Sequence, residues 1–214
     1  DYPEQNCSKD WNKTVHGLKE KILRTKENVA RALVWAQLGD CYVLTDEYKK
    51  SLYYYDLALS SELKDAKVTS RIYYNMGQIY ERAGQLGIAI SYYETSFELG
   101  DPTYLSPLKL ALINHNLGEF ALSNKWIGRL SKGYSQSELV RFIEGVNYFH
   151  MFRPNMIKGK VLGNLDEKSN SRALLNLALR MRNNVVVDDV KRDLSKLDLN
   201  FDLHLNFRNY LLNN

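Results

Sequence analysis

The sequence predicts an all-α fold in which short pairs of antiparallel helices repeat along the chain. The main observation is a signature that recurs about every 34 residues, a spacing typical of helix-pair repeats. Its occurrences are Trp35-x-x-Leu38-Gly39-x-x-Tyr42, Tyr73-x-x-Met76-Gly77-x-x-Tyr80, Leu117-Gly118-x-Phe120 and a weaker Gly145-x-x-Tyr148. In addition, the 214 residues include only 4 prolines and 12 glycines, which favours long helices with few breaks. Because one pair cannot bury its apolar face alone, we expect the pairs to stack.

The individual helices follow from apolar residues at helical spacing and from the breaks between them. In the first segment Val15, Leu18 and Ile22 share one face, and lysines lie on the other. Gly84 marks a helix end, because glycine tolerates the positive φ that follows a helix C-terminus. The predicted helices span 10–25, 27–45, 48–64, 68–83, 86–99, 103–116, 120–130 and 138–151, followed by 171–182 and 188–194 in the C-terminal third.

The segment from Leu197 to Phe207 has a different pattern, a strict alternation of apolar and polar residues. A period of two is typical of a β-strand, yet a lone strand needs an edge to pair with. Residues 185–187 could supply a short one. Three interpretations stay open: a capping helix with mixed faces, an extended arm packed on the last repeat, or a strand that pairs with another chain.

Residues 32–65, 70–103 and 104–137 resemble tetratricopeptide repeats, a family whose unit is a hairpin of two antiparallel helices. The agreeing positions are Trp35, Leu38, Gly39, Tyr42, Tyr48, Tyr55 and Ala58 in the first unit, Tyr73, Met76, Gly77, Tyr80, Gly84, Ala89 and Tyr93 in the second, and Leu110, Ala111, Gly118, Phe120 and Ile127 in the third. The resemblance implies a helical-hairpin solenoid with three recognisable repeats, a degenerate fourth and a divergent C-terminal cap.

The predicted organisation has three parts. Residues 1–31 form an N-terminal tail and a basic helix, residues 32–152 form the repeat array, and residues 153–214 form a divergent helical cap that includes the 197–207 segment. Four additional residues, 66–69, separate the first two units, and we expect them to lengthen the helices there.

The formal net charge of +4 is unevenly distributed. Residues 9–31 hold seven Lys/Arg against three acids, whereas residues 40–65 hold six acids against three lysines. Mixed charge is typical of a solvated helix surface, and the alternative is docking to an acidic partner or to anionic lipid at the membrane periphery. We expect no nucleic-acid partner, since no binding motif accompanies the charge. We also expect no transmembrane segment, since the apolar runs are too short.

Cys7 and Cys41 are the two cysteines of the chain. Two alternatives stay open: both are free and buried, or they form a disulfide that ties the N-terminal tail to the first repeat in an oxidising compartment. The sequence begins at Asp1 rather than Met, which is compatible with a trimmed chain or with a processed secretory precursor. The compartment therefore stays open between the cytoplasm and an exported or periplasmic location.

The sequence contains no pattern typical of a catalytic or cofactor site. A Gly-rich phosphate loop, His-Glu-x-x-His, Cys-x-x-Cys and Gly-x-Ser-x-Gly are all absent. The four histidines have no second His or Cys at metal-ligand spacing. We therefore predict a protein that is not an enzyme and that needs no cofactor or metal.

The family resemblance also implies a concave surface, lined by the first helix of each pair, that binds an extended or helical peptide. Carried over by position, the lining residues are Asp40, Leu44, Arg71, Tyr74, Asn75, Gln78, Arg82, Leu108, Lys109, Leu112, His115 and Asn116. Arg71, Arg82 and Lys109 make the predicted centre cationic, which would suit an acidic peptide. Ala36 and Asp40 replace residues that the chaperone-binding subfamily requires, so we do not expect a chaperone receptor.

The predicted function is that of a scaffold, adaptor or assembly factor that binds a partner protein or peptide on this concave surface. The alternative is a structural subunit of a larger complex or of a homo-oligomer, in which the C-terminal segment pairs between chains. An enzyme with an unrecognised site has no positive support in the sequence.

Overall fold

The computed structural model describes residues 7, 10–61, 63–100, 105–130, 140–141, 143–147 and 151 of the chain. Its helices are α1 (Trp11–Arg24), α2 (Asn28–Val43), α3 (Tyr48–Ser60), α4 (Ala66–Arg82), α5 (Leu86–Glu98), α6 (Leu105–Asn116) and α7 (Phe120–Ile127). Residues 140–141, 143–147 and 151 are helical as well, and no strand occurs in these ranges. The predicted all-α fold class is confirmed. The predicted cap, with its helices at 171–182 and 188–194 and the 197–207 segment, lies outside the described residues.

Several helix ends differ from the sequence prediction, by one to four residues. α3 ends at Ser60 rather than at residue 64, since Ser61 is extended, with ψ of 131°. α4 begins at Ala66 rather than at residue 68, because the Asp65 carboxylate caps it by accepting hydrogen bonds from the backbone of Lys67 and Val68, at 3.0 and 3.2 Å. The additional residues 66–69 therefore form the first turn of α4. α7 ends at Ile127 rather than at residue 130.

The same turn joins α2 to α3, α4 to α5, and α6 to α7. Each turn contains one residue with positive φ: Asp46 at 58°, Gly84 at 72° and Gly118 at 79°. In each, the residue after it donates a backbone hydrogen bond to the carbonyl five residues earlier, as from Glu47 to Tyr42 at 3.0 Å. The repeated turn chemistry makes each pair an antiparallel helical hairpin.

The chain divides into two compact units, residues 1–106 and 107–214. Within the first unit, Gly39 of α2 lies against the buried ring of Tyr55 on α3, and a Cβ at this position would overlap that ring. Gly77 of α4 and Tyr93 of α5 repeat the arrangement, with a Cβ placed 2.7 Å from Tyr93 Cε1. Both glycines therefore allow the close helix approach that the sequence signature indicates.

Two aromatic pairs repeat in the same hairpins. The rings of Tyr42 and Tyr54 stack with centroids 5.5 Å apart, and those of Tyr80 and Tyr92 stack at 5.4 Å. Such ring pairs stabilise helix seams beyond the area that they bury.

Helix α1 packs against α2 of the first hairpin. Val15 and Leu18 are buried there in a cluster that includes Leu38 and Tyr42. Cys7 and Cys41 form a disulfide, with their Cα atoms 5.4 Å apart, so the bonded alternative is the one present in the structure. The Trp11 indole N–H donates to the Cys41 carbonyl at 3.2 Å. On the other side of α2, a second cluster of apolar residues is shared by α2, α3 and α4.

The second unit has a buried polar network of its own. The Ser123 hydroxyl donates to the Ala111 carbonyl at 2.8 Å and accepts from the Asn147 amide at 2.8 Å. Asn147 also bonds His115 Nδ1 through Oδ1, at 2.5 Å. Because these hydrogen bonds join buried polar atoms, the network holds the side chains of Ser123, His115 and Asn147 in one arrangement. Across the helices of the described ranges, none combines the length and apolar character that a membrane crossing requires.

Candidate partner-binding surface

The predicted lining residues of α2 and α4 meet at the carboxylate of Asp40. Its Oδ1 accepts hydrogen bonds from the Tyr55 hydroxyl and the Asn75 amide, each at 2.8 Å. Its Oδ2 lies 3.1 Å from Arg71 Nη2. The Asn75 amide also donates to the Tyr55 hydroxyl at 2.9 Å. These four residues, here called the Asp40 cluster, join the first hairpin to the first helix of the second.

The Asp40 cluster is only partly open to water. The side chain of Asp40 is 25% exposed and that of Arg71 is 30% exposed. Charge-assisted hydrogen bonds are stronger in such a setting than at a fully solvated surface. Tyr55 itself is fully buried, and this burial together with the Asp40 charge raises the pKa of its phenol well above the usual value. Tyr55 therefore stays a neutral donor to Asp40 across the physiological pH range.

A second ion pair lies at the end of α4. Arg82 Nη1 lies 3.1 Å from Asp46 Oδ1 and 3.1 Å from the Tyr48 hydroxyl, which itself donates to Asp46 Oδ1 at 2.5 Å. This group is more exposed than the Asp40 cluster. Both arginines that the sequence analysis expected to make the surface cationic thus face aspartates of the same chain.

Uncharged side chains make up the rest of the predicted surface on these helices. The Gln78 amide donates to the Tyr74 hydroxyl at 3.3 Å, and the Tyr74 ring lies 5.5 Å from that of Tyr93. Tyr74, Asn75 and Gln78 are half-buried. Leu44, just after α2, is 64% exposed. We call the following set the α2–α4 surface: Asp40, Leu44, Arg71, Tyr74, Asn75, Gln78 and Arg82.

The predicted lining residues of the third repeat belong to the second unit and have a different setting. Leu108, Leu112 and His115 are buried, and Lys109 is only 4% exposed. Asn116 is exposed at the end of α6. Buried side chains do not offer contacts to a partner in this conformation, so the prediction that this repeat contributes to binding stays a prediction.

Sequence reasoning missed three residues that organise the α2–α4 surface. Tyr55 is predicted only as a position of the repeat, although its hydroxyl donates to Asp40. Neither Asp46 nor Tyr48 is among the predicted lining residues, although both contact Arg82. A signal for Asp46 was available, because an aspartate stands where the second and third turns have glycine.

The shared turn, the repeated glycine–tyrosine contacts and the stacked tyrosine pairs define the class of protein as a helical-hairpin repeat protein. The family model of the tetratricopeptide repeat matches residues 28–101, which include both hairpins of the first unit. Residues 28–101 therefore belong to the tetratricopeptide repeat family. Repeats of this family generally mediate protein–protein interactions or scaffolding and are typically non-catalytic. No curated protein matches the chain.

Proposed function

We propose that this protein is a scaffold or adaptor that binds a segment of a partner protein on the α2–α4 surface. The observation that carries the proposal is the Asp40 cluster, which brings predicted lining residues from two consecutive repeats into direct contact. Side chains that are far apart in sequence therefore form one continuous surface. Residues that are rigidly held before binding lose less entropy when a partner docks.

The chemistry of the α2–α4 surface fits recognition of a polypeptide. Tyr74 offers a flat ring with a polar tip, a side chain that often dominates binding energy at interfaces. Gln78 combines a donor with an acceptor, and Asn75, whose two amide hydrogens bond Asp40 and Tyr55, can still accept from a peptide N–H through its carbonyl oxygen. Leu44 adds an exposed apolar contact at the edge.

The alternative function, a structural subunit whose chains pair through the C-terminal segment, rests on residues 197–207. These residues lie outside the described ranges, so this alternative stays a prediction. Peripheral membrane association and homo-oligomerisation likewise stay predictions.

The experiment that tests the proposal is affinity capture with the full chain as bait, followed by mass spectrometry. The test variant is Tyr74→Ala/Gln78→Ala, which removes uncharged contacts and leaves both arginine–aspartate pairs intact. Reversing the charges of Arg71 and Arg82 would be less informative, because it would also break those pairs.

The matched control is Tyr53→Ala, which removes an exposed tyrosine from α3. We expect the Tyr74→Ala/Gln78→Ala variant to capture at least about tenfold less partner than the wild type. This is the loss expected when one residue that contributes strongly to binding is removed from an interface. The Tyr53 variant should retain it, and circular dichroism should show equal helicity for all three proteins. Equal capture by both variants would exclude the α2–α4 surface as the binding site.

A further inference from the structure

We propose that Asp40 determines the ligand specificity of the α2–α4 surface, which therefore accepts uncharged or basic segments and rejects acidic ones. This inference rests on the proposed function, since it concerns the chemistry of the segment that binds there. It replaces the acidic partner expected from the sequence by a different class of peptide.

The geometry places an internal anion where an acidic ligand would bind. The Asp40 carboxylate lies 3.1 Å from the guanidinium of Arg71, the cation that a ligand carboxylate would need. Tyr55 and Asn75 hold that carboxylate in place through two hydrogen bonds to its other oxygen. An incoming carboxylate would have to displace a pre-positioned group of the same charge, and like charges at this separation repel.

The helical hairpin forms without a carboxylate at the position of Asp40. The sequences of the two hairpins in the first unit align when Gly39 is matched with Gly77 and Tyr55 with Tyr93. In that alignment Gln78 corresponds to Asp40, and Leu33 corresponds to Arg71. The second hairpin forms the same glycine–tyrosine contact and the same turn with Gln78 at this position, and its tyrosine hydroxyl donates to Glu81 instead. Asp40 therefore changes the character of the surface rather than the formation of the hairpin.

The remaining charges of the surface point to the same class of ligand. Arg82 is paired with Asp46, so the second arginine also has an internal counter-ion. Glu81, next to it on α4, accepts a hydrogen bond from the Tyr93 hydroxyl at 2.5 Å. Because each of the two arginines faces an aspartate, its positive charge is compensated within the chain and attracts an acidic segment less. Backbone amides of an uncharged peptide can bond to Asn75 and Gln78 without disturbing either ion pair.

The test is selection from a random linear peptide library displayed on phage, with the full chain immobilised as target. We expect the wild-type chain to enrich peptides that are neutral or basic. Asp40→Asn keeps an oxygen that can accept from Tyr55 and Asn75 but removes the charge opposite Arg71. This variant should enrich peptides with Asp or Glu, with affinity for a selected acidic peptide about tenfold above that of the wild type.

Three further variants keep the experiment decisive. Asp56→Asn makes the same change of net charge on the exposed side of α3 and should behave as the wild type. Asp40→Gln introduces the residue that the second repeat has at this position, and it should enrich the same peptides as Asp40→Asn. It serves as the substitute if Asp40→Asn folds poorly. Asp40→Asn/Arg71→Gln should lose the gain, because the guanidinium is then absent.

The outcomes separate this inference from the proposed function. Acidic peptides enriched by the wild type, or an equal shift with Asp56→Asn, overturn the role of Asp40. If selection depends on Tyr74 and Gln78 but not on Asp40, the proposed function stands and this inference fails. If no peptide is enriched, or if enrichment is unchanged by Tyr74→Ala/Gln78→Ala, both fail.

Discussion

The first and second hairpins of this protein have the same framework but different polar groups attached to it. Gly39 and Tyr55 in the first hairpin correspond to Gly77 and Tyr93 in the second. Each hairpin also contains one stacked pair of tyrosines at equivalent positions. The first hairpin differs in having a disulfide at α2 and an aspartate in its turn. It also has Asp40 where the second has a glutamine.

The comparison shows that the repeat template consists of close backbone approach and ring packing. Those contacts need particular shapes, a glycine against an aromatic ring, and so they recur in both hairpins. The charged residues and the disulfide occupy positions at which close packing does not require a particular side-chain shape. These positions are therefore where one repeat can acquire a property that its neighbour lacks.

The largest expected difference between the hairpins comes from the disulfide. Cys7→Ala/Cys41→Ala should lower the free energy of unfolding by about 3–4 kcal/mol, because the bond closes a loop of intermediate length in the unfolded chain. Urea denaturation followed by circular dichroism measures the change. Amide hydrogen exchange should show lost protection in α1 and α2 while α5 keeps its protection, since repeats unfold as partly independent units.

A reducing agent provides the control for this variant. The wild type with reduced cysteines should unfold at nearly the same urea concentration as the double variant. Equal stability of the oxidised wild type and the variant would show that the bond does not constrain the first hairpin.

A smaller effect is expected at the glycine contacts. Gly39→Ala should cost about 2 kcal/mol of stability, since the new Cβ overlaps the fully buried Tyr55 ring and part of the cost is offset by better helix propensity. Gly77→Ala should cost less stability, because its Cβ would lie 2.7 Å from Tyr93 Cε1, farther from the ring than the Cβ at position 39 would lie from Tyr55. Thermal unfolding of both variants measures the difference.

Gly17 on α1 is the matched control for these substitutions. Nothing lies within 4 Å of the position that its Cβ would occupy. Gly17→Ala should therefore stabilise the protein by about 0.5–1 kcal/mol through helix propensity alone. A loss of stability at Gly17, or none at Gly39, would contradict the steric account of the template.

The smallest effect is expected in the turns. Asp46 has a φ of 58°, a region that non-glycine residues adopt at a cost of about 1 kcal/mol. Asp46→Gly should relieve that cost and lose an exposed ion pair with Arg82, so the net gain should be under about 1 kcal/mol. Chemical denaturation at low and high salt measures it, because salt weakens only the ion pair.

The reciprocal change in the second hairpin is Gly84→Asp. It should lower stability by about 1 kcal/mol, because it introduces the unfavourable φ into a turn that now has glycine. If Asp46→Gly destabilises the protein strongly, the contacts with Arg82 and Tyr48 outweigh the backbone cost. In that case the contacts of Asp46 with α4 stabilise the packing of α4 against the first hairpin.

Much of the first unit could be predicted because its determinants are local and repeated. The spacing of Trp35, Gly39 and Tyr42 indicates a helix and its packed face, and the recurrence at Tyr73 identifies the repeat. The start of α4 was placed two residues late because the capping role of Asp65 was overlooked. The candidate lining residues on α2 and α4 followed from the register of the repeat. Their pairing did not, since it depends on how two helices are rotated against each other.

The sequence by itself determined the helical class, the hairpin repeat and the family of residues 28–101, because periodicity and turn residues act over a few positions along the chain. Only the tertiary structure decided that Arg82 meets Asp46, 36 residues earlier, and that Arg71 meets Asp40. It also placed Lys109 inside the second unit. Electrostatic character depends on distances between side chains in three dimensions, so the aspartates that face Arg71 and Arg82 become evident only once the helices pack.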